Sequence, residues 1–495
     1  MAAAATPAGT TADVATDRPS SGGTSIAADS SISVSSSPVA SSSSTRGDLK
    51  AGGASDYTLD AKPVQEKSFF ARMTQLNILA PDGRFSAVFN LAAATLGAGA
   101  LAVPVSILDA GIVGGVILLF VMGVLSLLSI IMIAKACYIT GKPSYEELLE
   151  HLFGKGVCYG FDVVMILFCF GTCVTYLITI FDILYPVFVH FIGPDPSNWF
   201  LKIWVNRIPF TAVIAIIVLL PLSLRSHISE IRYVTFLGVL GVLFLAITSI
   251  YVLCRYGVSD HLPTDMVSPV NGWTSMLAAI NTYTFAYCNQ PNVPEIYIQV
   301  RDPTPKRFIP VVVWTIAVCF IVYVTVGIMN FLAFGMDVQS SVIINLGQFI
   351  SQGDVMVCIS FALECITIIG AFPLVVYPQR SSIVHFVSAC LPPRNEWWKR
   401  VYGWIVVVII IGLSYAVAIA LPDVNVMLGL VGSLTGSIVT FYSPAAFILK
   451  ISKKPLLTLD LEHLICYVQI AVGTFAFVLG TYASVLGVID YYSSQ

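Results

Sequence analysis

Charged residues are scarce in this chain of 495 residues. They make up 11% of the sequence, whereas 57% is hydrophobic. An ordinary soluble domain carries about 25% charged residues, and a soluble protein of this length could not cover its surface with so few. The lipid bilayer is therefore the expected solvent for most of the chain. The net charge of -3 offers no basic face to nucleic acid, so we expect no nucleic-acid partner.

Motifs for catalysis and for metal or nucleotide binding are also missing. The 11 cysteines form no CxxC pair and no Cys/His cluster with ligand spacing, so buried thiols are the simpler interpretation. The sequence contains no Walker loop, Gly-x-Ser-x-Gly elbow or His-Glu-x-x-His motif. We therefore predict that the chain is not an enzyme and has no catalytic residue, no metal site and no cofactor.

The first 70 residues lack long apolar runs. They are rich in Ser, Ala, Thr and Gly, and such a segment buries too little apolar surface to offset the entropy lost on ordering. It also lacks the cationic start and the Leu-rich core of a signal peptide. We predict a disordered cytosolic tail over residues 1–70 and a single transmembrane domain over residues 71–495.

Apolar runs of roughly 20 residues recur from Phe85 onward, and each can cross a hydrocarbon core of about 30 Å. The sequence therefore predicts an all-α integral membrane protein with about eleven transmembrane helices. The predicted spans are 85–108, 112–137, 157–189, 208–224, 233–254, 272–299, 308–334, 354–378, 401–421, 425–449 and 465–489.

Lysine and arginine give the orientation, because cytoplasmic loops of membrane proteins hold them in excess. With the N-terminus placed inside, all but three of the 25 Lys and Arg residues fall on the inner side, and the exceptions are Lys202, Arg207 and Arg255. We predict a cytosolic N-terminus and, after an odd number of spans, a C-terminus outside. We expect the plasma membrane rather than an internal membrane.

Two spans carry helix-breaking sequences. The first contains Gly97-Ala98-Gly99, and the sixth contains Pro291 and Pro294, each of which removes a backbone donor. Alone, the glycines fit close helix packing as well as a break. However, spans one and six cross in opposite directions, and paired breaks in inverted halves indicate a transporter's substrate site. We predict a LeuT-like 5+5 inverted repeat, spans 1–5 and 6–10, plus one extra helix.

Broken helices have a chemistry that suits an α-amino acid. The N-terminal ends of half-helices present unpaired N–H groups to a carboxylate, and their C-terminal ends present carbonyls to an ammonium group or a cation. The predicted substrate-binding residues are Thr95, Leu96, Gly97, Ala98, Gly99, Thr284, Phe285, Ala286, Tyr287, Cys288, Asn289 and Glu364.

Glu364 enters that set because it lies near the middle of span eight. An ionisable group at membrane depth is costly and usually functional. Three roles stay open: a carboxyl that joins two helices, a proton acceptor, or a partner for a cationic substrate side chain.

At these residues the sequence resembles the amino acid/auxin permease family of the amino acid–polyamine–organocation superfamily, and most of all the trypanosomatid amino acid permeases. The motifs that carry the resemblance are Phe89-Asn90-Leu91, Gly97-Ala98-Gly99, Thr284-Phe285-Ala286-Tyr287, Pro294-Glu295-Ile296-Tyr297 and Phe372-Pro373-Leu374-Val375-Val376-Tyr377-Pro378. The resemblance implies the inverted-repeat fold, alternating access and an amino acid bound between helices one and six. Sodium-coupled members resembling this chain carry an Asn where Ala93 stands, which leaves proton coupling or uncoupled exchange.

These observations predict a secondary active amino acid transporter whose partners are its substrate, the lipid bilayer and a coupling proton. Family members take cationic or neutral amino acids, and Glu364 tilts the prediction toward arginine or lysine. The main alternative is an amino-acid sensor on a transporter fold, with the Ser-rich tail as its signalling segment. An ion channel would show a pore motif or rings of like charge, and a membrane-embedded enzyme would need a catalytic cluster.

Overall fold

The computed structural model describes residues 83–493 apart from 225–230, 264, 268, 270–271, 391–394, 422, 453 and 456–459. The tail predicted over residues 1–70 lies outside the described residues, so that prediction stays untested. All regular elements in the described part are helices. In chain order they are α1 (Arg84–Thr95), α2 (Ala98–Ala110), α3 (Ile112–Thr140), α4 (Tyr145–Phe153), α5 (Lys155–Ile192), α6 (Trp199–Val205), α7 (Arg207–Leu224), α8 (Ile231–Tyr256), α9 (Trp273–Ala286), α10 (Val293–Gln299), α11 (Pro305–Phe334), α12 (Val342–Gly347), α13 (Val355–Cys390), α14 (Glu396–Ala420), α15 (Val424–Ile451) and α16 (Leu461–Ile489).

Nine of the described helices are long and apolar enough to cross a membrane, and the bent pair α1–α2 makes a tenth candidate span. The axes of α1 and α2 differ in direction by 59°. The sixth predicted span, 272–299, is divided between the 14-residue helix α9 and the 7-residue helix α10. Neither piece alone reaches the roughly 20 residues that a membrane crossing needs. The described part of the chain is thus all-helical and multi-spanning, and its span count depends on how the broken helices are counted.

Several local features follow the sequence closely. The long third span is one helix, α5, of 38 residues. The short helix α4 begins after Ser144, whose hydroxyl accepts a hydrogen bond from the amide of Glu147 at 3.2 Å, and this is the usual role of an N-cap serine. Large apolar side chains such as Ile216, Trp314 and Ile321 are exposed on the helices, as expected where lipid replaces water.

The two broken spans, α1–α2 and α9–α10, lie inside the helix bundle. Helix α9 packs against α2 and α15, and α11 packs against α1, α2 and α3. A second group of contacts joins α13 to α5 and α8. Four spans, α3, α5, α7 and α8, lie between the broken pairs along the chain, which matches the predicted pairing of span one with span six.

Candidate functional site

The first break lies between α1 and α2. Helix α1 ends at Thr95, and α2 begins at Ala98 after Gly97, which gives α2 no side-chain cap. The last carbonyls of one helix and the first amides of the next therefore lack partners within their own helices. The break predicted at Gly97-Ala98-Gly99 is present and starts at Leu96.

The second break starts earlier than the prolines that predicted it. Helix α9 ends at Ala286, a single 3-10 turn covers residues 290–292, and α10 begins at Val293. In a continuous helix, the carbonyl of Tyr287 would accept from the amide of residue 291, but Pro291 has no N–H. That carbonyl accepts from the Ser126 hydroxyl instead, at 3.0 Å.

The two breaks touch each other at Gly99 and Ala286. A Cβ atom placed on Gly99 would lie 2.8 Å from both Cα and Cβ of Ala286. Only glycine permits this approach, so both interpretations of the small residues hold here: they allow close packing and they lie at a break.

Hydrogen bonds also join the two breaks. The side-chain amide of Asn289 donates to the hydroxyl of Thr95. The hydroxyl oxygen of Tyr323, on α11, lies 2.8 Å from the carbonyl oxygen of Thr95 and 2.8 Å from that of Ala286. The sequence prediction missed Tyr323, because a single tyrosine in an apolar span carries no motif.

A buried polar network extends from the second break to α3 and α15, and its centre is Gln290. The Gln290 amide nitrogen donates to the Ser126 hydroxyl at 3.1 Å. Its amide oxygen accepts from the backbone N–H of Asn289 at 3.0 Å and from the Thr440 hydroxyl at 3.3 Å. This network was also missed, since neither Ser126 nor Thr440 stands out in an apolar sequence.

Aromatic and uncharged polar side chains lie beside both breaks. The ring of Phe285 lies 5.8 Å from that of Phe168 on α5, between centroids. A Cβ atom on Gly97 would lie 3.7 Å from the Tyr176 hydroxyl, and one on Gly436 would lie 3.6 Å from the Thr284 methyl. The remaining predicted site residues are buried beside the breaks and comprise Leu96, Ala98, Tyr287 and Cys288.

Glu364 lies outside both broken spans. It is buried on α13, and its Oε1 atom has no hydrogen-bond partner in the described part of the chain. Its neighbours Leu363 and Thr367 contact α8, where they would meet a Cβ atom on Gly241. The other eleven predicted site residues lie at the two breaks, whereas Glu364 lies on α13. Its assignment to the substrate site stays a prediction.

Comparison with known proteins identifies the family. A family model described as "Transmembrane amino acid transporter protein" matches residues 81–486. Amino acid transporter AVT6E of Arabidopsis thaliana is 24% identical over 417 residues, which cover 82% of this chain and 82% of that protein. Sodium-coupled neutral amino acid transporter 7 of Xenopus laevis is 26% identical over 412 residues, which cover 79% of this chain and 87% of that protein.

The family match covers both broken spans and every predicted site residue. A further relative, amino acid transporter AVT6B of Arabidopsis thaliana, is 27% identical over 404 residues, which cover 78% of this chain and 86% of that protein. None of these three relatives is a trypanosomatid protein, so the finer likeness to trypanosomatid permeases stays a prediction. The chain belongs to the transmembrane amino acid transporter family.

Proposed function

We propose that the chain moves α-amino acids across a membrane by alternating access, as a secondary active transporter that holds one substrate molecule where the two broken spans meet. The observation that carries the proposal is the contact of Gly99 with Ala286. It brings the uncapped N-terminus of α2 and the C-terminal ends of α1 and α9 to one place. Helix ends of both polarities therefore border the same small volume.

Each end suits one group of the substrate. The first amides of α2 carry partial positive charge and favour a carboxylate. The C-terminal ends of α1 and α9 carry partial negative charge and favour an ammonium group. The Oδ1 atom of Asn289 is a further acceptor, since it is buried at the break with no hydrogen-bond partner among the described residues.

We propose a neutral substrate side chain in place of the arginine or lysine that the sequence favoured. The walls formed by Phe168, Tyr176 and Phe285 carry no charge that would pair with a cationic side chain. The Xenopus laevis relative is named a transporter of neutral amino acids, which supports the same choice. Glu364, the reason for expecting a cation, lies outside both broken spans, on α13.

We propose a proton as the coupling ion, with Glu364 as its carrier. An ionised carboxylate without a partner is costly at membrane depth. A change in its protonation state is therefore coupled to a change in its surroundings, such as the packing of α13 against α8. The hydroxyls of Ser360, one turn away on α13, and Thr248 on α8 are also buried without partners in the described part. The predicted orientation and the plasma membrane location remain part of this proposal.

The test is uptake of labelled amino acids by the purified protein in liposomes, with and without an inward proton gradient. We expect saturable uptake of neutral amino acids that the gradient accelerates, and little uptake of arginine or lysine. With Glu364→Gln, we expect exchange of internal for external amino acid to persist while the acceleration disappears. Ser351→Ala changes an exposed hydroxyl and serves as a control.

Each outcome bears on a separate part of the proposal. Preferred uptake of arginine or lysine would contradict the neutral-substrate assignment. Acceleration that survives in Glu364→Gln would remove this residue as the proton carrier. Failure of correctly folded protein to move any amino acid would favour the sensor alternative, and deletion of residues 1–68 would then be expected to abolish signalling.

A further inference from the structure

Two helix ends of the same polarity converge on one buried hydroxyl. Thr95 and Ala286 are the last residues of α1 and α9, and both carbonyl oxygens lie 2.8 Å from the hydroxyl oxygen of Tyr323. Carbonyls at the C-terminal end of a helix accept no hydrogen bond from an amide of the same helix. They also bear the partial negative charge of the helix dipole. A point between two such ends is electrostatically suited to a cation.

A tyrosine hydroxyl satisfies these two carbonyls only in part. It has a single proton, so the two carbonyls share one hydrogen-bond donor. Tyr323 is fully buried, and its ring packs edge-on against that of Tyr287 with centroids 5.3 Å apart. The hydroxyl is therefore held in place from α11 by packing as well as by its two acceptors.

Carbonyls at the unwound ends of broken transporter helices are the groups that usually coordinate a driving cation. In this chain the hydroxyl of Tyr323 stands where such a cation would contact both ends. We propose that Tyr323 is a positioning residue that replaces a monovalent cation between the two broken spans, so that amino acid binding needs no sodium. This inference rests on the proposed function, because it concerns the same broken-helix site.

The replacement has a structural consequence. A cation that leaves with the substrate would release α1 from α9 in each cycle, whereas a side chain on α11 stays with the protein. The group that links the breaks then stays with the protein throughout the cycle. The link changes only when α11 or the helix ends move. Sodium would lose its role at this point, and a proton bound elsewhere could still drive the cycle.

The test compares Tyr323→Phe with the wild type and with Tyr283→Phe. Tyr283 is a matched control, since it is buried on α9 and its hydroxyl has no hydrogen-bond partner among the described residues. Thermal unfolding of each purified protein is measured in choline chloride and then in sodium or lithium chloride at equal ionic strength. We expect sodium or lithium to raise the unfolding midpoint of Tyr323→Phe alone, by about 2–4 °C.

Uptake supplies the second measurement. Wild-type uptake should be equal in sodium and choline media. Uptake by Tyr323→Phe should fall about tenfold in choline, as expected for two buried acceptors that lose their donor, and should recover at least in part with sodium or lithium. A variant that survives purification only with one of these cations present would also support the proposal.

Three results would overturn it. The first is wild-type protein that needs sodium for uptake or unfolds at a higher temperature in sodium than in choline. The second is a Tyr323→Phe variant whose unfolding and uptake respond to no cation. The third is a Tyr323→Phe variant that cannot be purified in folded form in any of the salts. The unfolding measurement does not require transport. Failure of the wild type to move any amino acid would therefore count against the proposed function. The unfolding measurement on Tyr323→Phe would still test the role proposed for Tyr323.

Discussion

The side-chain amide of Asn289 donates a hydrogen bond to the hydroxyl of Thr95, so the break after α9 is joined to the break after α1. The Thr95 hydroxyl also lies 2.7 Å from the carbonyl of Leu91, to which it donates. The chain of donors therefore runs from the second break into the last turn of α1. Both residues are buried, so water is a poor substitute for either partner.

This pair should show energetic coupling. Asn289→Ala and Thr95→Val each remove one partner, and we expect each to lower uptake about tenfold because a buried polar group loses its bond. The double variant should lose little more than the worse single variant, with a coupling energy of about 1 kcal/mol. Initial uptake rates in liposomes give this double-mutant cycle. Losses that simply multiply would mean that the two side chains act independently.

The contact of Gly99 with Ala286 should tolerate no added atom. The Cβ atom of Gly99→Ala would lie 2.8 Å from the backbone of Ala286, and overpacking of this kind costs about 1–3 kcal/mol. We expect a lower unfolding midpoint and uptake reduced at least about tenfold. The matched control is Gly412→Ala in α14, where a Cβ atom would meet nothing within 4 Å. Equal unfolding midpoints and equal uptake in the two variants would show that neither stability nor transport needs the close approach of Gly99 to Ala286.

Asp423, just before α15, should make stability depend on pH. Burial raises the pKa of its carboxyl above the usual 3.8, and this effect exceeds the opposing effects of its hydrogen bonds and of Arg207. The folded state then binds the proton more readily than the unfolded state. The resulting stabilisation is present below the unfolded-state pKa and is lost as pH rises through the folded-state pKa.

Asp423→Asn removes the charge but keeps an oxygen that can accept from the Val426 amide, as Asp423 does at 2.9 Å. We expect its unfolding midpoint to match the wild type at about pH 4 and to exceed it by about 1–3 °C at about pH 8. The same series on Asp195→Asn, at an exposed carboxylate, is the control. A variant less stable than wild type at the higher pH would show that the charge is stabilising, for example through Arg207.

Sequence reasoning succeeded where a residue type alone dictates local geometry. Gly97, Gly99 and Pro291 mark the broken spans because glycine permits close backbone approach and proline removes a donor. Apolar runs of roughly 20 residues predicted the membrane-spanning helices because a helix of that length crosses the hydrocarbon core. The second break begins at Tyr287, before Pro291, since the missing N–H of Pro291 affects the carbonyl of Tyr287 one turn earlier.

The side chains that form hydrogen bonds to the breaks from other helices could not be predicted from the sequence. Tyr323, Ser126 and Thr440 come from three other helices, and their role depends on which helix faces pack together. Each is an ordinary residue in an apolar run. Glu364 drew attention because an ionisable residue is rare at membrane depth. Rarity does not predict which neighbours the side chain meets, and its assignment to the substrate site stays a prediction.

Equilibrium binding of a labelled neutral amino acid to purified Gly97→Leu tests most directly whether the substrate lies between the breaks. A leucine side chain there would extend toward the Tyr176 hydroxyl, 3.7 Å from its Cβ position, and would fill the space assigned to the substrate. Gly114→Leu is the control, because a Cβ atom at Gly114 meets nothing within 4 Å. We predict saturable binding by the wild type and Gly114→Leu and none by folded Gly97→Leu. Wild-type affinity in Gly97→Leu would contradict the assignment.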